Sequence, residues 1–93
     1  ATFFIIAKGH SMEKAGISDE DLLVVDKSIE AKSNDIVVAA LDGEFTVKRY
    51  IVTGNKICLR AETAVASYPD IHITEDTDFE VWGVVTHTIH RNR

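Results

Sequence analysis

Apolar residues come in short bursts along the chain: FFIIA at 3–7, LLVV at 22–25, IVVAAL at 36–41, FTVKRYIV at 45–52, ICL at 57–59, IHI at 71–73 and FEVWGVV at 79–85. Val, Ile and Phe dominate these runs, Gly, Asp and Asn separate them, and no segment keeps a 3.6-residue period for three turns. That pattern predicts a mostly β chain. The expected strands are Thr2 to Ala7, Asp21 to Asp26, Asp35 to Leu41, Glu44 to Val52, Lys56 to Ala61, Ile71 to Thr74 and Phe79 to His90. Asp42-Gly43 in LDGEF suits a two-residue hairpin turn, because both residues tolerate positive φ. VTGNK marks a second turn, so the three strands from 35 to 61 are expected to run as a meander.

The one helical candidate is brief, Ser11 to Ala15, ended by Gly16. Two roles for Ser11 fit the local sequence. Serine is a favoured N-cap whose hydroxyl accepts an orphan backbone N–H. A serine where a strand turns into a helix also sits among converging N–H groups, which suits a nucleophile whose developing oxyanion needs donors. The choice between them depends on whether a base lies nearby.

The chain has 93 residues, 45% of them hydrophobic, enough for one modest core and one domain. A net charge of −5 argues against a surface built to neutralise phosphates, so direct nucleic-acid binding is not expected. The basic cluster His90, Arg91, Asn92, Arg93 reads as a solvated terminus. The single cysteine, Cys58, has no disulfide partner, and no apolar stretch approaches the roughly 20 residues that span a bilayer. An intracellular, cytoplasmic protein without a membrane segment is the expectation. A first residue of Ala1 instead of methionine suggests that a preceding segment has been removed.

Among candidate bases, His10 adjoins Ser11, and consecutive side chains rarely converge on one point. His87 and His90 are three apart in an expected strand and so point to opposite faces, while His72 between two isoleucines faces solvent. No metal site is expected from these spacings, and Cys58 between Ile57 and Leu59 reads as a small core filler. The remaining base is Lys48 in EFTVKRYIV, on the strand face that carries Thr46 and Tyr50. Either it reaches along an edge strand to water, or burial lowers its pKa and frees an amine to deprotonate a serine.

The blocks GHSM, AGISDEDLLVVD, NDIVVAALDGEFTVKR and VWGVVTHTIHR resemble the LexA-like Ser-Lys peptidases, and most closely the UmuD-type subunits of translesion DNA polymerase V. Ser11 and Lys48 stand 37 positions apart, the spacing that family shows. The resemblance implies a small, twisted, partly rolled antiparallel β fold of the LexA C-terminal, signal-peptidase-like type, with one short helix after the nucleophile. It implies Ser11 as nucleophile, Lys48 as general base, backbone N–H groups of His10 and Ser11 as the oxyanion site, and Met12 as a cleft wall. No cofactor is implied. The segment LRAETAVASYPDIHI departs from the family's usual proline and asparagine, which bears on the loop and not on the proposed groups.

Family members cut themselves on the N-terminal side of the peptidase domain when a RecA filament on single-stranded DNA favours it. The shortened subunit then supports a Y-family translesion polymerase as a homodimer. The ten residues before Ser11 hold no small-residue-Gly bond, so the substrate segment is expected to be absent from 1–93, and Ala15-Gly16 reads as a helix stop. Two further readings stand beside this one. One is the catalytic half of a LexA-type repressor. The other is an idle scaffold dimer paired through its long terminal strand, with Trp82 either in the core or anchoring the interface.

Overall fold

The computed structural model describes residues 1–65 and 67–92. Among these described residues seven strands form one sheet: β1 (Thr2–Ile6), β2 (Leu22–Asp26), β3 (Ile36–Leu41), β4 (Glu44–Thr53), β5 (Lys56–Arg60), β6 (Ile71–Ile73) and β7 (Phe79–Ile89). They lie in the order β1-β2-β7-β3-β4-β5-β6, and every neighbouring pair is antiparallel. The expected mostly β fold and the meander from β3 to β5 are what the molecule adopts.

The hairpin at Asp42-Gly43 follows from backbone chemistry. Both residues take positive φ, 48° and 85°, and Leu41 pairs with Glu44 across the turn. That is the geometry whose twist matches the flanking strands. Gly54, at φ 62°, makes the second turn and sets Thr53 opposite Lys56.

The sheet is apolar on both faces at its centre. Val37 and Val38 are adjacent, so their side chains point to opposite faces, and both are buried. Val38 joins a cluster with Ala7, Met12, Ile17, Leu23 and Val25. Val37 joins Ala39, Leu59 and Val84 on the other side. An uninterrupted apolar run such as IVVAAL is what a strand covered on both faces requires.

Strand β7 connects the two halves. It pairs with β2 from Val84 to Ile89 and with β3 from Phe79 to Val84, and register shifts at Val24/Val25 and Val38/Ala39 flank the changeover. Such bulges add local twist and bend the sheet. At this crossing a Cβ on Gly83 would lie 2.7 Å from Val25 Cγ1 and 3.0 Å from the Asp26 carbonyl oxygen, so only glycine lets the strands approach this closely.

Three expectations change. The helix expected over Ser11 to Ala15 is a single 3₁₀ turn, Glu13–Ala15, whose N-cap position is Met12 and carries no side-chain cap bond. The long terminal strand, offered above for pairing between copies, lies inside the sheet, with β2 and β3 each occupying part of it. The edges of the sheet are β1 and β6. His90 is not a free tail residue either. Its Nδ1 lies 2.8 Å from the buried carboxylate of Asp21, which pins the end of β7 to the start of β2. Arg93 of the basic cluster and Ala66 of the departing loop lie outside the described residues.

Candidate active site

The chain leaves β1 at Ile6 and is held at once by backbone bonds: Ala7 N–H donates to the Asp21 carbonyl at 2.8 Å, and Glu20 N–H donates to the Ala7 carbonyl at 2.8 Å. Gly9 then turns the chain with φ 86°, a conformation costly for residues with a Cβ. Its N–H is donated to Asp19 Oδ1 at 2.7 Å. The Ser11 carbonyl accepts Glu62 N–H at 2.8 Å, and Lys14 N–H reaches the Glu62 carbonyl at 2.8 Å. Two neighbouring stretches of backbone thus clamp the serine, one before β2 and one after β5.

Glu62 is itself held. Its Oε1 takes hydrogen bonds from Arg49 Nη2 at 2.6 Å and Nε at 3.2 Å, while Arg49 Nη1 donates to the Asn34 carbonyl at 2.8 Å. Arg49 follows Lys48 on β4, so one cation of the Lys-Arg pair supports the serine loop and the other faces the serine itself.

Lys48 is buried, with 8% of its surface exposed. Its Nζ donates to Ser11 Oγ at 3.0 Å, Thr46 Oγ1 at 2.9 Å and the Val47 carbonyl at 3.2 Å, and lies 6.0 Å from the centre of the Tyr68 ring. Burial pushes its pKa below the usual lysine value, since desolvation disfavours the ammonium form. This decides between the two alternatives for Lys48, because the side chain turns inward and does not reach for water. Ser11 caps no helix, and its hydroxyl faces the lysine. An uncharged amine within such reach is able to accept a hydroxyl proton.

Serine and lysine border a cleft of about 570 Å³. Its walls are largely apolar, with Phe3, Ile5, Phe45 and Trp82 at one end and Tyr68 beside the lysine. Trp82 is half-buried and edge-on to Phe45 at 5.0 Å and to Phe3 at 6.3 Å, with Lys27 Nζ 4.4 Å above its ring, so it forms part of the cleft wall. Phe45 is 62% exposed, leaving the wall open to an incoming chain.

The sequence-selected residues divide clearly. Ser11, Lys48 and Met12 meet at the cleft, Met12 almost wholly buried beneath it. His10 is exposed, and its Nδ1 lies 3.3 Å from Glu13 Oε2. Thr46, Tyr68 and the Arg49-Glu62 pair emerge only from the fold. Thr46 alone left a sequence trace, since it shares a strand face with Lys48. Cys58 is only half-buried, not a fully enclosed core residue, and its thiol pKa is raised by burial and by the charge of Asp70. Among the described residues no helix is long and apolar enough to cross a membrane.

The antiparallel sheet thus brings a serine and a desolvated lysine together at one apolar cleft. The family model described as Peptidase S24-like matches residues 1–86, and the chain belongs to that family. Protein ImpA of Salmonella typhimurium is 43% identical over all 93 residues, and protein MucA of Escherichia coli is 42% identical over 90 residues, or 96% of the chain. The LexA repressor of Clostridioides difficile is 42% identical over 85 residues, covering 90% of this chain and 39% of the repressor. The chain spans 61% of the length of ImpA and 60% of MucA.

Proposed function

We propose that residues 1–93 act as the peptidase domain of a self-processing, UmuD-type SOS mutagenesis protein, with Ser11 as nucleophile and Lys48 as its general base. The observation that carries this reading is the 3.0 Å separation of Lys48 Nζ from Ser11 Oγ, made by an amine whose burial favours the neutral form. Neutral Nζ accepts the hydroxyl proton as Oγ attacks the carbonyl carbon of a bound peptide. Backbone N–H groups of His10 and Ser11 receive the oxyanion. The lysine ammonium then gives its proton to the leaving amine, and water activated by the regenerated amine releases the acyl group. Met12 and the aromatic wall seat the substrate segment.

The substrate is a segment of the same protein, cut when a RecA filament on single-stranded DNA favours the cleavable conformation. The product serves as the homodimeric, cytoplasmic partner of a Y-family translesion polymerase. The likeness to ImpA and MucA supports this branch, and the net charge of −5 suits protein partners better than duplex DNA. A dimer is supported by the exposed apolar residues Phe4, Ile6 and Ile89 at one end of the sheet. Ile6 and Ile89 flank Leu22 across adjacent ladders, which sets them on one face.

The full-length protein incubated with RecA, ATP and single-stranded DNA tests the mechanism. Cleavage is expected in the parent and absent in Ser11→Ala and Lys48→Ala, and RecA-independent cleavage should accelerate as alkaline pH removes the lysine proton. Normal processing by either variant would end the proposal. A repressor reading is favoured only by the 42% identity to LexA, and a DNA-binding domain encoded upstream would select it.

A further inference from the structure

Cys58 sits in the middle of β5, and the register sets it opposite His72 on β6. Asp70 precedes His72 by two residues, the spacing that returns an extended chain to the same face. The fold therefore gathers three ligand types that the sequence scatters over two segments. The thiol sulfur, an imidazole nitrogen and a carboxylate oxygen lie within 4.8 Å of one another. Asp70 and His72 are exposed, so both can swing toward the half-buried sulfur without repacking the core.

We propose that Cys58, Asp70 and His72 form a binding site for a borderline-soft divalent cation of the Zn2+ type, which staples the edge strand β6 to β5. A thiolate with one imidazole and one carboxylate suits zinc or cobalt, whereas magnesium and calcium prefer all-oxygen shells. Tetrahedral zinc holds its ligand atoms roughly 3.3 to 3.8 Å apart, so the three side chains need close by no more than about 1.5 Å. The fourth position is left to water. Asp70 now pairs with Arg60, which donates to its carboxylate from Nη2 at 3.1 Å and from Nε at 3.3 Å to each oxygen; the pair is exposed, and a dication must displace it to take Asp70.

The site also lies at the base of the connection from β5 to β6. That connection carries Glu62, whose backbone clamps Ser11, and Tyr68, whose hydroxyl would be 3.8 Å from a Cβ on Gly9. A bound ion takes over the closure that the Arg60-Asp70 pair provides, fixing a loop that borders the cleft.

Titration of the reduced, intact protein with Co2+ reads the ligand set directly. A thiolate-to-cobalt charge-transfer band in the near ultraviolet, with intense visible bands of tetrahedral cobalt, is expected to saturate at one equivalent and to bleach on adding Zn2+. Cys58→Ser should lose the charge-transfer band, and His72→Ala, a change at an exposed position, should weaken Co2+ binding about tenfold or more. Zn2+ should raise the melting temperature of the parent and of neither variant. A spectrum without the charge-transfer band would overturn the site. So would affinities unchanged in both variants, which would assign the binding to His10, His87 or His90.

Discussion

At the residue scale the chemistry concentrates on one nitrogen. Among the described residues Lys48 Nζ donates to three oxygens, and in the proposed mechanism Ser11 Oγ is the one that attacks. Thr46 Oγ1 at 2.9 Å does two things at once. It holds the amine on the serine side of the strand, and it accepts from the charged form, which favours the ammonium against the pull of burial. Thr46→Val keeps the shape and removes the acceptor. We expect its maximal processing rate to fall about tenfold, within the range that a misaimed general base costs. The midpoint of its pH-rate curve should move to lower pH, because the ammonium loses a partner. Rates of RecA-independent self-cleavage across alkaline pH measure both. A fall in rate with no movement of the midpoint would show that Thr46 aims the amine without tuning it.

At the element scale the crossing of β7 from β2 to β3 is the most constrained point. Gly83→Ala must open the contacts with Val25 and Asp26, and overpacking of this kind costs typically about 1 to 3 kcal/mol. A lower urea midpoint at unchanged slope is the expected readout. Much of the element plan was legible beforehand because its signals are local. Asp42-Gly43 specifies its own turn, and β-branched runs such as IVVAAL specify strands whichever sheet they join. The short helix was over-read for a related reason. A serine two residues before Glu13 looks like a cap until a lysine on β4 engages its hydroxyl. Strand order has no local signature, so the place of β7 between β2 and β3 could not be read from its residues. The same holds at the sites. Ser11 and Lys48 stood out as residue types in telling contexts, whereas Glu62 behind the serine and the cross-strand pair Cys58 and His72 arise only from pairing.

At the scale of the whole molecule two buried ionisable groups set how stability follows pH, one at each end of the range. Asp21 is 4% exposed; burial works to raise its pKa, but hydrogen bonds from Ser18 N–H and His90, with the charge on His90, hold it below the usual aspartate value. A carboxyl depressed in the folded state contributes stability above its unfolded pKa and loses it as pH falls through the folded value. Asp21→Asn should therefore lower the urea midpoint at neutral pH and flatten its decline below about pH 4. Lys48 acts in the opposite sense. Its folded pKa lies below the unfolded value of 10.5, so the unfolded chain binds more protons and stability rises as pH climbs through the interval between the two. Below that interval the fold carries the cost of a desolvated ammonium. Methionine matches the lysine stem in length and needs no proton, and Thr46 and Ser11 are left with hydroxyls that can turn to other partners. Lys48→Met is thus expected to abolish processing while stabilising the fold at neutral pH by on the order of 1 kcal/mol, the sign seen where a strained functional group is replaced by apolar packing. Its alkaline rise in stability should vanish. Urea unfolding of parent and variant from neutral to alkaline pH decides this, and a variant less stable than the parent would mean that the three hydrogen bonds of Nζ outweigh the burial of its charge.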